Sequence, residues 1–118
     1  MTSGSIVWLD FRRDSVPKEA NKLRPAIIVE DRSLFAAEFP NVVVVPCTTR
    51  LTYEIPALCV RIEPDERNGF DLTNWAVAHS VTTASKSRIV KTTDYRVSTR
   101  SLAEIRARIV ELLGASGV

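Results

Sequence analysis

Apolar residues along the chain fall into short runs separated by polar and turn-forming segments, a pattern typical of β-strands. The run of valines at 42–45 is β-branched throughout and apolar on both faces, which predicts a central strand. Asn68-Gly69 predicts a tight turn within a charged segment. Strands are predicted at residues 6–11, 26–30, 42–45, 57–62 and 75–81, with shorter candidates at 87–90 and 95–97.

One helix is predicted close to the C-terminus. Its apolar stripe recurs at helical intervals and consists of Leu102, Ile105, Ile109, Leu112 and Leu113. Ser101 and Glu104 have the spacing of a capping box at its start, and Gly114 is a natural stop. The basic residues of the helix are expected to be ordinary surface charges: Arg100, Arg106 and Arg108.

Many short strands with one or two helices predict a mainly β fold, a small and strongly curved antiparallel sheet or barrel covered by the C-terminal helix. A further short helix or turn is predicted within 31–39, capped by Asp31 or Ser33. The 118 residues fit a single domain spanning 1–118, which is long enough to bury a self-supporting core. An apolar content of 45% and a charged content of 25% do not indicate disorder.

The net charge of +2 says little about partners, whereas its distribution says more. The segment 84–100 carries five basic residues against the single acid Asp94, and a second basic cluster lies in the first loop, 12–24. Basic loops of this kind suit a polyanion, and a solvated surface is the alternative.

Several classes of protein are not favoured. The longest apolar runs are far shorter than the roughly 20 residues that a membrane span needs, and the N-terminus does not resemble a signal peptide, so a cytoplasmic protein without membrane contact is expected. Cys47 and Cys59 are too few for a disulfide framework and are expected to be reduced core thiols. A single histidine and two distant cysteines argue against a zinc site, and neither a metal nor a cofactor is expected.

Two short motifs place phosphate-binding groups at strand ends. Arg24, in an Arg-Pro pair, precedes the strand 26–30, and Thr48, in a Pro-x-Thr motif, follows the strand 42–45. A guanidinium can grip phosphate oxygens with two parallel hydrogen bonds, and a hydroxyl can donate one more. If the strands pair, both groups can converge on one phosphodiester, so a nucleic-acid-cleaving site is the leading hypothesis. The alternatives are a structural ion pair for Arg24 and a backbone hydrogen bond for Thr48.

Three segments resemble, in order and approximate spacing, the motifs of MazF/PemK toxins: 4–11, 19–26 and 44–49. The segment 75–88 and the closing helix resemble that family too, so the resemblance spans nearly the whole chain. It implies an SH3-like barrel that forms a homodimer and a type II toxin that cleaves single-stranded RNA at short sequences without a metal. It also implies a cognate antitoxin whose acidic, flexible tail covers the RNA groove.

The resemblance assigns catalytic roles to two residues. Arg24 would stabilise the charge of the phosphorane, and Thr48 would orient the phosphate. The chain departs from the family pattern at Ser5, where an acid is common, at Lys18, where a relative could carry a histidine, and at His79, where some members carry an acid. His79 could be the base or the acid of the reaction, and a satisfied core histidine in an apolar strand is the alternative.

Contacts with RNA are expected from the first loop and from the end of the third predicted strand. Lys18 and Lys22 suit phosphate binding, whereas Glu19 could act as a base or pair with a neighbouring cation. Alternation along the strand points Thr48 and Thr49 to opposite faces, so only one of them should reach the substrate. The expected RNA-binding set is Lys18, Glu19, Lys22 and Thr49.

Two other functions stay open from the sequence. One is a non-enzymatic toxin similar to CcdB, which binds gyrase; such proteins lack the paired Arg-Pro and Pro-x-Thr motifs, which counts against it. The other is an SH3-like module that binds nucleic acid or a peptide without chemistry.

Overall fold

The structure, a computed structural model, describes residues 1–11 and 23–115. Within these two ranges the chain forms seven β-strands and one α-helix: β1 (Ser5–Asp10), β2 (Leu23–Ile28), β3 (Asn41–Thr48), β4 (Cys59–Ile62), β5 (Asn74–Val77), β6 (Thr82–Ser85), β7 (Ile89–Arg96) and α1 (Thr99–Leu112). Short 3-10 turns occupy Arg32–Leu34, Pro56–Leu58, Ala78–Ser80 and Lys86–Arg88. None of the helices described is long and apolar enough to cross a membrane.

β3 is the central strand, as its run of valines predicts. The strands pair antiparallel in the order β4-β5-β3-β2-β1-β7, and β6 also pairs with β3. Along one edge, β3 pairs first with β6 and then, at its last two residues, with β5. One strand therefore belongs to two sheets, which turns a corner in the structure. The mainly β fold with a curved antiparallel sheet and a C-terminal helix is confirmed.

Side chains along the central strands alternate between two apolar clusters on opposite faces of the sheet. The cluster beneath α1 includes Ile6, Ile27, Val45, Cys47, Leu102 and Ile105. The cluster on the other face includes Val7, Leu9, Ala26, Ile28, Val42 and Val44. Because both faces are covered, β1 to β3 read as continuous apolar runs rather than as alternating patterns.

Helix α1 begins one turn before the predicted capping box. Ser98 is the N-cap, and its hydroxyl accepts a hydrogen bond from the N–H of Ser101 at 3.0 Å. The capping role predicted for Ser101 is wrong, because Ser98 supplies the same hydroxyl three residues earlier. The predicted stop is confirmed: Gly114 adopts a φ of +71°, and its N–H donates to the carbonyl of Glu111 at 2.9 Å.

Arg106 is not the ordinary surface charge that the sequence predicts. Its Nε donates to the carbonyl of Val29 at 2.9 Å, and Nη2 donates to the carbonyl of Glu30 at 3.2 Å. These bonds attach α1 to the chain directly after β2. Arg100 fits the prediction, because its side chain is 90% exposed and pairs with Glu104 at 3.3 Å.

The strand predicted at 75–81 is wrong beyond Val77. From Ala76 to Thr82 the chain advances six residues, while the partner strand β3 advances three. The surplus residues leave the ladder as the turn Ala78–Ser80, and β6 follows. Ala78, at the start of that turn, is buried like a strand residue, so the apolar pattern of the sequence continues past the end of the strand.

Three smaller predictions had mixed outcomes. The candidates at 87–90 and 95–97 belong largely to one long strand, β7, and β6 was missed because most of its side chains are polar and only Ala84 is buried. The turn predicted within 31–39 is confirmed, since the carboxylate of Asp31 accepts a hydrogen bond from the N–H of Ser33 at 3.0 Å.

Candidate active site

A cleft of about 780 Å³ opens where β1 ends, β2 begins and β3 ends. Leu9, Phe11 and Pro46 contribute apolar surface to it. Its polar groups include Asp10, Arg24, Thr48, Glu54, Ser80 and Arg88. The volume lies in the range typical of ligand sites, and both signs of charge are present.

Strand register explains why Arg24 and Thr48 meet at this cleft. β2 and β3 pair antiparallel with Ala26 opposite Pro46. The β2–β3 pairing ends there, but the same register, continued two residues further along each strand, would bring Arg24 opposite Thr48 and put both on one face. The pairing of these strands, on which convergence depends, is therefore present, and both side chains line the cleft.

Arg24 is partly buried in the wall of the cleft. Within residues 1–11 and 23–115, its guanidinium has no hydrogen-bond or ion-pair partner. The structural ion pair with a described residue is thus not formed. A planar cation in this setting can accept an anion without first breaking another contact in that part of the chain.

Thr48 is buried, and its hydroxyl already has backbone partners. Oγ1 donates to the carbonyl of Arg50 and accepts from the N–H of the same residue, both at 3.1 Å. This is the local role that the sequence left as the alternative. A hydroxyl has a single proton, so donation to a phosphate requires that Thr48 release the Arg50 carbonyl.

Two predicted site residues do not line the cleft. Thr49 is exposed just beyond the end of β3, so Thr48 rather than Thr49 faces the cleft. His79 lies in the turn Ala78–Ser80 and not in the predicted apolar strand, because the surplus residues leave the ladder there. Three further candidates lie outside the described residues: Lys18, Glu19 and Lys22.

His79 is paired with a carboxylate that does line the cleft. Its Nε2 lies 3.1 Å from Oε1 of Glu54, and the two side chains are 15% and 27% exposed. Its Nδ1 is buried and has no hydrogen-bond partner among the atoms described. Of this pair, Glu54 lines the cleft and His79 does not.

Sequence reasoning missed Glu54, Asp10 and Arg88 as cleft residues. Glu54 lies in the irregular segment between β3 and β4, and Arg88 ends the 3-10 turn before β7. Nη1 of Arg88 donates to the carbonyl of Asp10 at 3.5 Å. An isolated charge in a loop, or at the end of a strand as for Asp10, carries no periodic signal, so only the folded chain could assign these residues to the site.

Both thiols near the cleft are stabilised in the protonated form. Burial raises the pKa of Cys47 to about 12. Burial, and then the charge of Glu54, raise the pKa of Cys59. Neither thiol is an effective nucleophile near neutral pH. In the described part of the chain, no group of three or more His, Cys, Asp or Glu residues could hold a metal ion.

Comparison with known sequences gives one family. Residues 2–113 match the model of the PemK-like, MazF-like toxins of type II toxin–antitoxin systems. No curated protein matches the chain in sequence.

Solved structures with a similar fold include a MazF, an endoribonuclease and a MazE–MazF complex. MazF from Deinococcus radiodurans is 19% identical with a TM-score of 0.73, covering 97% of this chain and 96% of that one. An endoribonuclease from a mycobacterial species is 19% identical with a TM-score of 0.72, covering 100% of this chain and 95% of that one. A MazE–MazF complex from Deinococcus radiodurans is 19% identical with a TM-score of 0.70, covering 98% of this chain and 97% of that one. At these identities the similarity establishes the fold.

Proposed function

The chain belongs to the PemK-like, MazF-like toxins of type II toxin–antitoxin systems, and from this premise we propose that it is a metal-independent endoribonuclease that cleaves single-stranded RNA. The observation that carries the proposal is the position of Arg24 and Thr48 in one cleft, at the facing ends of β2 and β3. A guanidinium without a partner in the described chain is well suited to a phosphodiester.

The proposed reaction is attack of a ribose 2′-oxygen on the adjacent phosphorus. A bond forms between O2′ and phosphorus, and the bond from phosphorus to the 5′-oxygen breaks. The products are a 2′,3′-cyclic phosphate and a free 5′-hydroxyl. Negative charge accumulates on the phosphorane oxygens, and Arg24 donates two N–H groups to them where this charge develops.

Thr48 orients the phosphate in this proposal. When RNA fills the cleft, its hydroxyl proton turns from the Arg50 carbonyl to a phosphate oxygen, while Oγ1 still accepts from the Arg50 N–H. A neutral hydroxyl is a poor base, so its contribution is positioning rather than proton transfer.

The other predicted site residues keep their roles as proposals. His79 takes part in proton transfer from its place beside the cleft. The two lysines of the first loop hold phosphates that flank the scissile one, because that loop leads directly into β2 and Arg24. The full proposed RNA-binding set is Lys18, Glu19, Lys22 and Thr49.

Family membership also supports a proposal about partners. The chain would form a homodimer in the cytoplasm and bind a cognate antitoxin with an acidic, flexible tail. One solved relative is a MazE–MazF complex. An acidic tail and an RNA phosphate would compete for the same guanidinium in the cleft, so antitoxin binding and RNA cleavage should exclude each other.

A defined long single-stranded RNA, incubated with the purified protein in EDTA, tests the activity. We expect cuts at short sequences, with cyclic phosphate and 5′-hydroxyl ends. Arg24→Ala should lower kcat by about 10²–10³-fold, the usual loss for one donor to a transition-state oxyanion. Arg24→Lys should recover only part of it, because an ammonium keeps the charge without the fork.

Arg61→Ala is the matched control. Arg61 is 65% exposed and pairs with Glu63 at 2.8 Å outside the cleft, so its loss should leave cleavage unchanged. Equal cleavage by the wild type and Arg24→Ala would remove the proposed site. Tight RNA binding without turnover would favour a binding module, and gyrase arrest without RNA fragments would favour a CcdB-like toxin.

A further inference from the structure

The pair formed by Glu54 and His79 lies at the cleft, yet nothing in the family motifs accounts for Glu54. Glu54 is in the loop between β3 and β4, and His79 is in the turn between β5 and β6. The two residues are 25 positions apart in sequence and meet at 3.1 Å. A proton acceptor with a fixed partner, in the same cleft as an arginine and a threonine, is suited to general base catalysis.

His79 cannot be the group that reaches a ribose hydroxyl in this arrangement. It does not line the cleft, and its Nε2 is occupied by Oε1 of Glu54. Its other nitrogen, Nδ1, is buried without a partner in the described chain, where a proton would leave an unpaired N–H. The favoured form is therefore the tautomer with the proton on Nε2, which donates to Glu54.

Glu54, in contrast, has an oxygen to offer. Oε1 is held by His79, whereas Oε2 has no hydrogen-bond partner within residues 1–11 and 23–115. The side chain is 27% exposed and lines the cleft together with Arg24 and Thr48. A carboxylate fixed through one oxygen and open at the other can accept a proton at a defined place.

We propose that Glu54 is the general base of the cleavage reaction and that His79 is the residue that positions it. The inference rests on the proposed ribonuclease function and assigns the proton acceptor within it. His79 acts through Glu54 and does not touch the RNA. The sequence-based role of His79 in proton transfer thereby becomes an indirect one.

The proton balance of the step is as follows. Oε2 of Glu54 takes the proton of the 2′-hydroxyl as O2′ bonds to phosphorus. The bonding electron pair between phosphorus and the 5′-oxygen stays on that oxygen, which takes a proton from solvent water. Glu54 then returns its proton to the hydroxide left in solvent, and no metal or redox partner is consumed.

The charged and titratable groups around Glu54 come from several elements. His79 faces it from the turn before β6, and Cys59 approaches it from β4 closely enough for the carboxylate to raise the pKa of that thiol beyond the effect of burial. The cleft adds groups from β1, β2 and the turn before β7: Asp10, Arg24 and Arg88. Variants that test Glu54 should therefore leave these neighbouring groups unchanged.

The test measures kcat and KM for the defined RNA. Glu54→Gln keeps the shape and should lower kcat by about 10²–10⁴-fold, the usual contribution of a general base, with KM little changed. Glu54→Asp, a shorter carboxylate, should recover part of kcat.

Variants of His79 separate positioning from catalysis. His79→Gln can still donate an N–H to Glu54 and should keep most of kcat. His79→Ala should lose more, and added imidazole should restore part of the loss. Glu104→Gln is the matched control, since Glu104 is half exposed on α1 and outside the cleft.

The outcomes distinguish this inference from the proposed function. If the wild type cleaves RNA and Glu54→Gln has the same kcat, the assignment of Glu54 is overturned while the ribonuclease proposal stands. A rise in KM with unchanged kcat would overturn it too. No cleavage by the folded wild type would instead overturn the proposed function. A thermal melt of each variant checks folding, and Glu54→Asp keeps the assignment testable if Glu54→Gln does not fold.

Discussion

Cys47 and Thr48 are consecutive residues of β3 that both line the cleft, but their side chains have different uses. Cys47 packs in the cluster beneath α1, 1% exposed, where burial raises its pKa to about 12. Thr48, one residue later, has a hydroxyl that is hydrogen-bonded to the backbone of Arg50. The region beneath α1 is organised for stability, whereas the cleft contains polar groups that contribute little to the core.

The two regions also differ in how their polar groups are satisfied. Beneath α1, the guanidinium of Arg106 is bonded to two backbone carbonyls. At the cleft, Arg24 has no partner in the described chain, and Glu54 is held through one oxygen only. Unused polar groups near a cleft are costly to folding but available to a ligand. We therefore expect substitutions beneath α1 to change the free energy of unfolding and substitutions at the cleft to change cleavage.

The largest expected effect comes from opening the region beneath α1. Ile105 is fully buried, and Ile105→Ala should lower the free energy of unfolding by about 2–5 kcal/mol, because burial is lost and a cavity remains. Urea denaturation measures this. Leu113→Ala, at a side chain that is 71% exposed, is the control and should change it by no more than about 0.5 kcal/mol. Equal losses of unfolding free energy in the two variants would contradict tight packing of the cluster beneath α1.

The attachment of α1 should have the next largest effect. Arg106→Met keeps most of the apolar stem but removes the charged donors to Val29 and Glu30, which should cost about 1.5–3 kcal/mol. Arg100→Met, on the exposed side of the same helix, should cost at most about 0.5 kcal/mol. Thermal and urea unfolding of the pair provide the comparison. If Arg106→Met unfolds like Arg100→Met, the helix is held by apolar contacts alone.

Thr48 has both a structural hydrogen bond and a proposed role in cleavage, so its variants separate effects on stability from effects on kcat. Thr48→Val removes the hydroxyl that bonds the Arg50 backbone and should cost about 1 kcal/mol of stability, in addition to a loss of kcat. Thr48→Ser keeps the hydroxyl and should retain most of both. Parallel measurements on Thr49→Val test the RNA-binding role proposed for the neighbour, which should appear in KM. A stability loss in Thr48→Val with unchanged kcat would leave Thr48 a purely local role.

The smallest effect concerns Cys59, which reports on Glu54 without any RNA. The charge of Glu54 helps to raise the pKa of this thiol, so Glu54→Gln should lower that pKa and increase the thiolate fraction at a given alkaline pH. Alkylation of Cys59 by iodoacetamide should then be faster. Cys47 should stay protected in both proteins as an internal control. Slower alkylation in Glu54→Gln would contradict the placement of the carboxylate.

The fold could be predicted from the sequence to a large extent because its signals are local. The valine run of β3, the apolar stripe of α1 and the turn capped by Asp31 each depend on neighbours within a few residues. The error in the strand predicted at 75–81 falls where two distant segments decide the outcome. Ala78 reads as a strand residue until the pairing of Ala76 and Thr82 with β3 forces a turn between them.

The candidate site likewise contains some residues that the sequence predicts and others that only the fold brings together. The sequence by itself determined that Arg24 and Thr48 stand at the ends of two apolar strands, and pairing of adjacent strands makes such residues neighbours. Only the tertiary structure decided that Glu54 lines the cleft, that His79 pairs with it and that Arg106 bonds α1 to the chain after β2. The physical reason is that hydrophobic period and strand order are written along the chain, whereas a contact between isolated charges in distant loops exists only after the sheet has curved.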